Sequence, residues 1–161
     1  MWNARLGKIF RGSIRLLIAV TLAWVVDAKS SSAATIVEIL SRQPAFSNFV
    51  YLLKSQGLDA KLDGTERFTI FAPTNAAFDN SSSEYPVVRR QEVKGLIVSS
   101  RWSPQDLAGK RTILKAINGK SIGIDGTDGR LTVGDVEVLS VDVTPSNGII
   151  YVIDALTLEP Y

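Results

Sequence analysis

The sequence predicts an α+β fold in which helices come first and a run of antiparallel strands follows. Between residues 35 and 57 apolar residues recur at intervals of three and four, which is the spacing of one helix face. From Thr112 onward they recur at every second position, which is the period of a strand with one buried face. Helices that precede a strand-rich region predict an α+β fold with a sandwich-like antiparallel β-sheet packed against the N-terminal helices.

A basic and then apolar segment precedes the predicted domain. Four basic residues come before a short apolar run from Leu16 to Val26, and small residues follow it. The run is shorter than the roughly 20 residues that span a bilayer, and this order of features is typical of a signal peptide. A buried or membrane-anchoring helix is the alternative. We therefore expect residues 1–28 to be a signal peptide, cleaved near Ala28 or Ala34, and the protein to be secreted or periplasmic.

Removal of this segment changes the charge of the protein. The whole chain has 18 basic and 16 acidic side chains, and residues 1–28 hold four of the basic ones and one of the acidic ones. The remaining chain therefore has a formal charge of −1. No basic patch remains that would indicate a nucleic-acid partner.

Histidine and cysteine are absent from the sequence. Their absence excludes Ser-His-Asp and Cys-His catalytic sites, zinc sites built from thiolates and imidazoles, and disulfides. An enzyme would depend on carboxylates, lysine, tyrosine or serine, and the sequence has no paired carboxylates in a recognisable catalytic setting. We therefore predict a non-catalytic protein, with no cofactor and no metal.

The helices are predicted from the residues at their ends, after a linker over residues 29–34. The segment Thr35-Ile36-Val37-Glu38 is a capping box and predicts a short helix to about Arg42. Pro44 suits the first turn of a second helix, and Gly57 suits the left-handed position after it. The apolar face of that helix is predicted to lie in the core and consists of Phe46, Phe49, Val50 and Leu53.

A strand followed at once by a helix is predicted next. Residues Phe68 to Ala72 are mostly β-branched and aromatic, which favours a strand, and Pro73 ends its hydrogen bonding. Thr74 is expected to cap a helix that begins at Asn75, with Phe78 pointing into the core. A polar loop over residues 79–86 follows, and its Asn80 matches a glycosylation acceptor.

The strands of the C-terminal half are separated by turn residues. Thr112–Ala116 is the first, and Asp125–Gly129 is interpreted as a hairpin loop. The alternation shifts by one residue at Val138–Leu139, which predicts a β-bulge. Asn147-Gly148 is predicted to be a turn before a last strand, Ile149–Ile153, whose two apolar faces indicate a central position in the sheet.

Two further features have a functional and a structural interpretation. Residues 125–136 weakly resemble a calcium loop, but Thr127, Gly129 and Val136 stand where ligands are required, so a hairpin turn is preferred. Tyr85 and Trp102 lie in polar surroundings. Such aromatics stack on sugars or partners when exposed, or cover the edge of the core.

Two of these segments resemble the paired signatures of the fasciclin (FAS1) domain. Phe68–Phe78 is similar to the first signature and Asn147–Asp154 to the second, and the resemblance covers about residues 35–160. It implies a FAS1-like α+β fold for this region, an antiparallel β-sandwich or wedge packed with N-terminal helices. The motif residues that we single out as possible interaction residues are Phe71, Pro73, Thr74, Asn75, Phe78, Asn147, Gly148, Tyr151 and Asp154.

The resemblance also implies a function. We expect a secreted or periplasmic, non-catalytic adhesion or interaction module that binds a cell-surface or matrix protein or a glycan; a soluble carrier of an apolar lipid or pigment is the alternative. Many family members have a Tyr-His pair between the signatures, where this chain has Gly95 and Leu96. The integrin-type adhesion associated with that pair is therefore not expected, and no Arg-Gly-Asp tripeptide is present.

Overall fold

The structure is a computed structural model that describes residues 33–79 and 93–156. The predicted signal peptide, most of the predicted linker, Asn80 and Tyr85 lie outside these residues. The described part has the predicted α+β composition, with short helices first and strands after them. No helix within it has both the length and the apolar character needed to cross a bilayer.

Short helices form the N-terminal part of the fold: α1 (Ile36–Ser41), a 3-10 turn (Pro44–Phe46), α2 (Ser47–Ser55) and α3 (Leu58–Leu62). The predicted capping box is present, because the Thr35 hydroxyl accepts from the backbone N–H of Glu38 and the Glu38 carboxylate accepts from that of Thr35. Gly57 has the predicted left-handed conformation, with φ of 65°. The sequence pattern does not predict α3, since five residues are too few to display a helical period.

The strands and two further short helices follow in the described residues, in addition to helical residues 93–95. Their order is β1 (Phe68–Pro73), α4 (Asn75–Asp79), β2 (Ile97–Val98), α5 (Pro104–Leu107), β3 (Arg111–Lys115), β4 (Ser121–Asp125), β5 (Thr132–Val133), β6 (Val136–Asp142) and β7 (Gly148–Ile153). The predicted β-bulge is confirmed, since the pairing of β6 with β7 shifts between Val138 and Ser140.

The strands form one sheet in the order β2-β1-β7-β6-β5-β4-β3. From β3 to β7 each strand is antiparallel to the next, as predicted. β1 and β7, in contrast, are parallel, with Phe71 opposite Tyr151. A bridge between Val98 and Ala116 joins the two ends of this order, so the sheet curls back on itself. The two signature segments thus become neighbours at the centre of the fold.

The core surrounds the parallel pair. All six residues of β1 are buried, as are five of the six of β7, which confirms the predicted central position of the last strand. The predicted apolar face of the second helix is also buried. From the bulge onward the pattern differs: Leu139, Val141 and Val143 keep 56%, 38% and 48% of their surface exposed. These residues form an apolar row on the outside of the sheet.

Candidate functional site

Most of the signature residues lie inside the domain. Six of them are buried, namely Phe71, Pro73, Phe78, Asn147, Gly148 and Tyr151. Thr74 and Asn75 are half-buried, and Asp154 is exposed. The parallel pairing of β1 and β7 stacks the rings of Phe71 and Tyr151, whose centroids are 5.5 Å apart. The apolar residues of the two signatures therefore pack against each other in the interior, whereas Thr74, Asn75 and Asp154 reach the surface.

Asn75 connects the first signature to the helical layer. Its side-chain oxygen accepts a hydrogen bond of 3.1 Å from the backbone N–H of Asn48, in the first turn of α2. Its amide nitrogen donates to the carbonyl of Pro44 and to the hydroxyl of Ser47, both at 3.0 Å. One side chain thus caps α2 and holds the turn before it, although its three partners lie 27 to 31 residues earlier in the chain.

Thr74, the predicted cap of α4, acts through its backbone. Its N–H donates to the carbonyl of Ile153 at 3.0 Å, and its own carbonyl accepts from the N–H of Ala77 at the same distance. Among the described residues the Thr74 hydroxyl has no hydrogen-bond partner. The predicted side-chain cap of α4 is therefore wrong: the Thr74 carbonyl accepts from the first turn of α4, and the side chain of the next residue, Asn75, caps α2 instead.

Asn147 connects the second signature to the helices, as Asn75 connects the first, but its side chain is buried. Its side-chain oxygen accepts from the backbone N–H of Ile36, the first residue of α1, at 3.0 Å. Its amide nitrogen donates to the carbonyl of Leu62, at the end of α3, and at 3.4 Å to that of Gly64. One side chain therefore satisfies the beginning of one helix and the end of another.

Tyr151 anchors the segment that follows β2. Its hydroxyl donates to the carbonyl of Trp102 at 2.7 Å, and the N–H of Trp102 donates to the hydroxyl of Thr69 at 2.8 Å. That hydroxyl in turn donates to the carbonyl of Ser100 at 2.7 Å. The Trp102 side chain is half-buried against the core, as the structural interpretation expected. Burial, with a smaller contribution from the charge of Asp106, raises the pKa of Tyr151.

This raised pKa predicts a loss of stability in alkali. An unfolded chain releases the Tyr151 proton above pH 10, whereas the folded protein retains it to higher pH. The unfolded state therefore binds fewer protons in this range, and the free energy of unfolding falls by at most about 1.4 kcal/mol per pH unit. Urea unfolding between pH 7 and 11.5 measures this decline.

Two variants isolate the contribution of Tyr151. Tyr151→Phe leaves the Trp102 carbonyl unpaired and is expected to cost about 1–2 kcal/mol at pH 7. Since this variant has no phenolic proton to release, its difference from the wild type should shrink above pH 10. Tyr51→Phe is the control, because Tyr51 is 71% exposed and should leave the wild-type profile unchanged. A constant difference between Tyr151→Phe and wild type across the range would contradict the assignment.

The acidic loop after β4 is a hairpin, as predicted. The carboxylate of Asp125 accepts from the hydroxyl and N–H of Thr127 at 2.6 and 2.9 Å, and from the Arg111 side chain at 2.7 Å. These bonds lower the pKa of Asp125 to about 2, so the carboxylate stays ionised. Among the described residues no group of three or more acidic side chains is arranged to hold a metal ion.

The departure from the family pattern also has a structural consequence. Leu96, at the second position of the missing Tyr-His pair, is fully buried, and its carbonyl accepts from the N–H of Phe71 at 2.9 Å. A Cβ on Gly95 would lie 3.1 Å from the side-chain nitrogen of Asn118. Leu96 is thus part of the core, Gly95 is half-buried, and these two positions offer no exposed aromatic or imidazole group.

Comparisons with known proteins agree with the signatures. The family model for the Fasciclin domain matches residues 44–159. Protein sll1483 of Synechocystis sp. is 30% identical over 152 residues, covering 86% of this chain and 81% of that protein. Human stabilin-1 is 31% identical over 137 residues, covering 78% of this chain but only 5% of stabilin-1.

A solved structure shares the fold. It is a FAS1 domain pair from the insect cell adhesion molecule fasciclin I, with a TM-score of 0.65 and 22% sequence identity. The match covers 78% of this chain and 51% of that one. At this identity the likeness concerns the fold, including the mixed sheet and its helices.

Proposed function

Because the chain belongs to the Fasciclin domain family, we propose that it is a secreted or periplasmic, non-catalytic adhesion or interaction module. The observation that carries this proposal is that polar groups of the signatures form hydrogen bonds within the domain. Asn75, Asn147 and the Tyr151 hydroxyl all bond to this chain and hold its elements together. In this arrangement the signatures maintain the scaffold, and the outer surface is left for recognition.

The exterior offers surfaces suited to recognition. The apolar row of Leu139, Val141 and Val143 is exposed along one strand and the residues after it. Large side chains exposed side by side are a common property of interaction sites. The origin of the solved relative in a cell adhesion molecule supports the same kind of role. Of the signature residues, Asp154 is exposed and Thr74 and Asn75 are partly so, and these remain candidate contact residues.

The proposed export and domain boundaries follow from the sequence. Residues 1–28 would be the signal peptide, residues 29–34 the linker and residues 35–160 the fasciclin-like domain. Expression of the full chain in a secreting bacterial host tests this arrangement. The exported protein should begin directly after Ala28 or Ala34 on N-terminal sequencing, and retention of residue 1 would contradict it.

A binding assay tests the proposed function. Purified protein is applied to intact cells of the source organism, to their extracellular matrix and to an immobilised glycan panel. We expect saturable retention on at least one of these surfaces. The control is an unrelated secreted protein of similar size and charge. Absence of saturable retention on all three, by protein shown to be folded by circular dichroism, would contradict the proposal.

The same purified protein tests the alternative role as a carrier. Its absorbance spectrum and the mass spectrum of an organic extract would reveal a bound pigment or lipid. A stoichiometric apolar ligand would favour the carrier over the adhesion module.

A further inference from the structure

A groove of about 370 Å³ lies beside the end of α1, the 3-10 turn and the outer side of α2. Its lining includes the charged residues Arg42 and Lys54, the aromatic Tyr51 and the neutral polar residues Gln43 and Ser47. Its volume lies within the range of about 300–1,000 Å³ that is usual for small-molecule sites. Arg42 is predicted from sequence to lie at a helix end, but no sequence pattern associates these residues with a site.

The aromatic residue of the groove is unusually exposed. Tyr51 keeps 71% of its surface in solvent, the largest exposed fraction among the large apolar side chains of the described residues. Tyr51 and Lys54 are three residues apart on α2, so their side chains lie next to each other on one face of the helix. The ring and the ammonium group can therefore contact the same ligand.

The two cationic side chains of the groove have no acidic partner among the described residues. Within residues 33–79 and 93–156 neither Arg42 nor Lys54 forms an ion pair, whereas Arg111 and Arg130 pair with acidic residues. None of the described residues that line the groove is acidic. Both cations lie at the C-terminal ends of helices, where positive charge is favourable. That placement accounts for the two charges, whereas the exposed Tyr51 ring that lines the same groove has no comparable structural role.

We propose that this groove binds an acidic sugar, a unit that carries a carboxylate or sulfate group within a glycan. The inference rests on the proposed function and specifies its partner. The apolar face of a sugar ring packs on an aromatic ring, which the exposed Tyr51 supplies. The acidic group is held by the guanidinium of Arg42 and the ammonium of Lys54. Gln43 and Ser47 offer hydrogen-bonding groups for ring hydroxyls.

An acidic peptide fits this site less well. Extended peptides gain much of their affinity from main-chain hydrogen bonds to the edge of a sheet. The groove is lined by helices and the turn between them, and the backbone groups within a helix are already paired. Recognition here depends on side chains, which suits a ligand rich in hydroxyl groups with a single strong charge.

Titration of the purified protein with short oligosaccharides tests the inference. The probes are a tetramer of galacturonic acid, a heparin-derived tetrasaccharide and neutral chitotetraose, observed by ¹⁵N–¹H NMR. We expect the two acidic probes to shift amide signals at the end of α1 and along α2, and the neutral probe to have a much weaker effect. Binding should also weaken as salt is raised.

Variants locate the contacts. The double variant Arg42→Gln/Lys54→Gln should weaken binding of the acidic tetramers about tenfold or more, since each change removes a charge-assisted hydrogen bond. Tyr51→Ala should weaken it about fivefold through lost ring contact. The matched control is Lys115→Gln/Lys120→Gln, which removes the same charge from exposed positions outside the groove. All variants change exposed side chains, so the fold should be retained.

The outcomes separate this inference from the proposed function. Shifts outside the groove, or equal weakening by the control pair, would overturn the groove as the site. Tighter binding of a hexaglutamate peptide than of either acidic sugar would overturn the ligand class. If acidic sugars do not bind while the protein is retained on cells or matrix, the inference fails and the proposed function stands; if there is no retention on any surface either, both fail.

Discussion

Gly148→Ala is expected to lower the free energy of unfolding by more than about 3 kcal/mol, or to prevent folding, because no space exists for the added methyl group. A Cβ at this position would lie 2.1 Å from the carbonyl oxygen of Phe68 and 2.6 Å from Cδ1 of Ile36. The first contact is with the backbone of the neighbouring parallel strand. Relief of this clash would require β1 and β7 to separate at the centre of the sheet.

The measurement is urea unfolding followed by circular dichroism, with two comparison variants. Gly64→Ala is the control, because its Cβ would meet one backbone oxygen at 3.3 Å, so a change of about 1 kcal/mol or less is expected. Ile36→Val removes Cδ1 and thus one of the two clashes. In the Gly148→Ala background it should therefore cost less than it does alone. Wild-type stability of Gly148→Ala would contradict the packing described for the signature.

Gly148 also illustrates what sequence reasoning can and cannot provide. The dipeptide Asn147-Gly148 predicts a turn, since glycine commonly allows a positive φ. In the structure Gly148 is the first residue of β7, and it is not among the glycines with positive φ. The glycine is required by the close approach of another strand and a helix, which depends on partners about 80 and 110 residues away.

Structural features that depend on residues close together in the sequence could be predicted. The capping box at Thr35, the left-handed Gly57, the hairpin after Asp125 and the bulge at Val138 all depend on residues within a few positions of one another. The parallel pairing of β1 with β7 depends on the choice of strand neighbours, which a single sequence does not reveal. For the same reason, the hydrogen bonds of Asn75 and Asn147 to distant helices could not be predicted.

The same holds for the candidate sites: the signatures could be recognised in the sequence, whereas the groove could not. The family signatures are easy to detect in the sequence, and the structure places six of their nine selected residues in the interior. The groove residues stand out only after folding, when Arg42 and the face of α2 that carries Tyr51 are brought together. In sequence, Tyr51 is one apolar residue among several in an amphipathic helix. Its position off the predicted apolar face was the only available signal.

Asn147→Ala is expected to lower the free energy of unfolding by about 2–4 kcal/mol, because it leaves buried polar groups without partners. Asn147 is only 5% exposed, and its loss would leave the N–H of Ile36 and the carbonyl of Leu62 without their hydrogen-bond partner. Each unsatisfied buried group costs about 1–3 kcal/mol. Asn75→Ala removes a similar cap at a half-buried site that water can reach, so about 1 kcal/mol is expected. Urea unfolding of the two variants measures the difference.

Asn147→Asp separates the two halves of this interaction. Its carboxylate can still accept from the N–H of Ile36, at a helix N-terminus where negative charge is favourable. It has no hydrogens to donate to the carbonyl oxygens of Leu62 and Gly64, and the like partial charges repel. We therefore expect Asn147→Asp to be destabilised at pH 7 and to regain part of the loss at low pH, relative to wild type, because a protonated carboxyl group has a donor. If Asn147→Ala were as stable as wild type but lost its retention on cells or glycans, the second signature would be a recognition site and not a joint between helices.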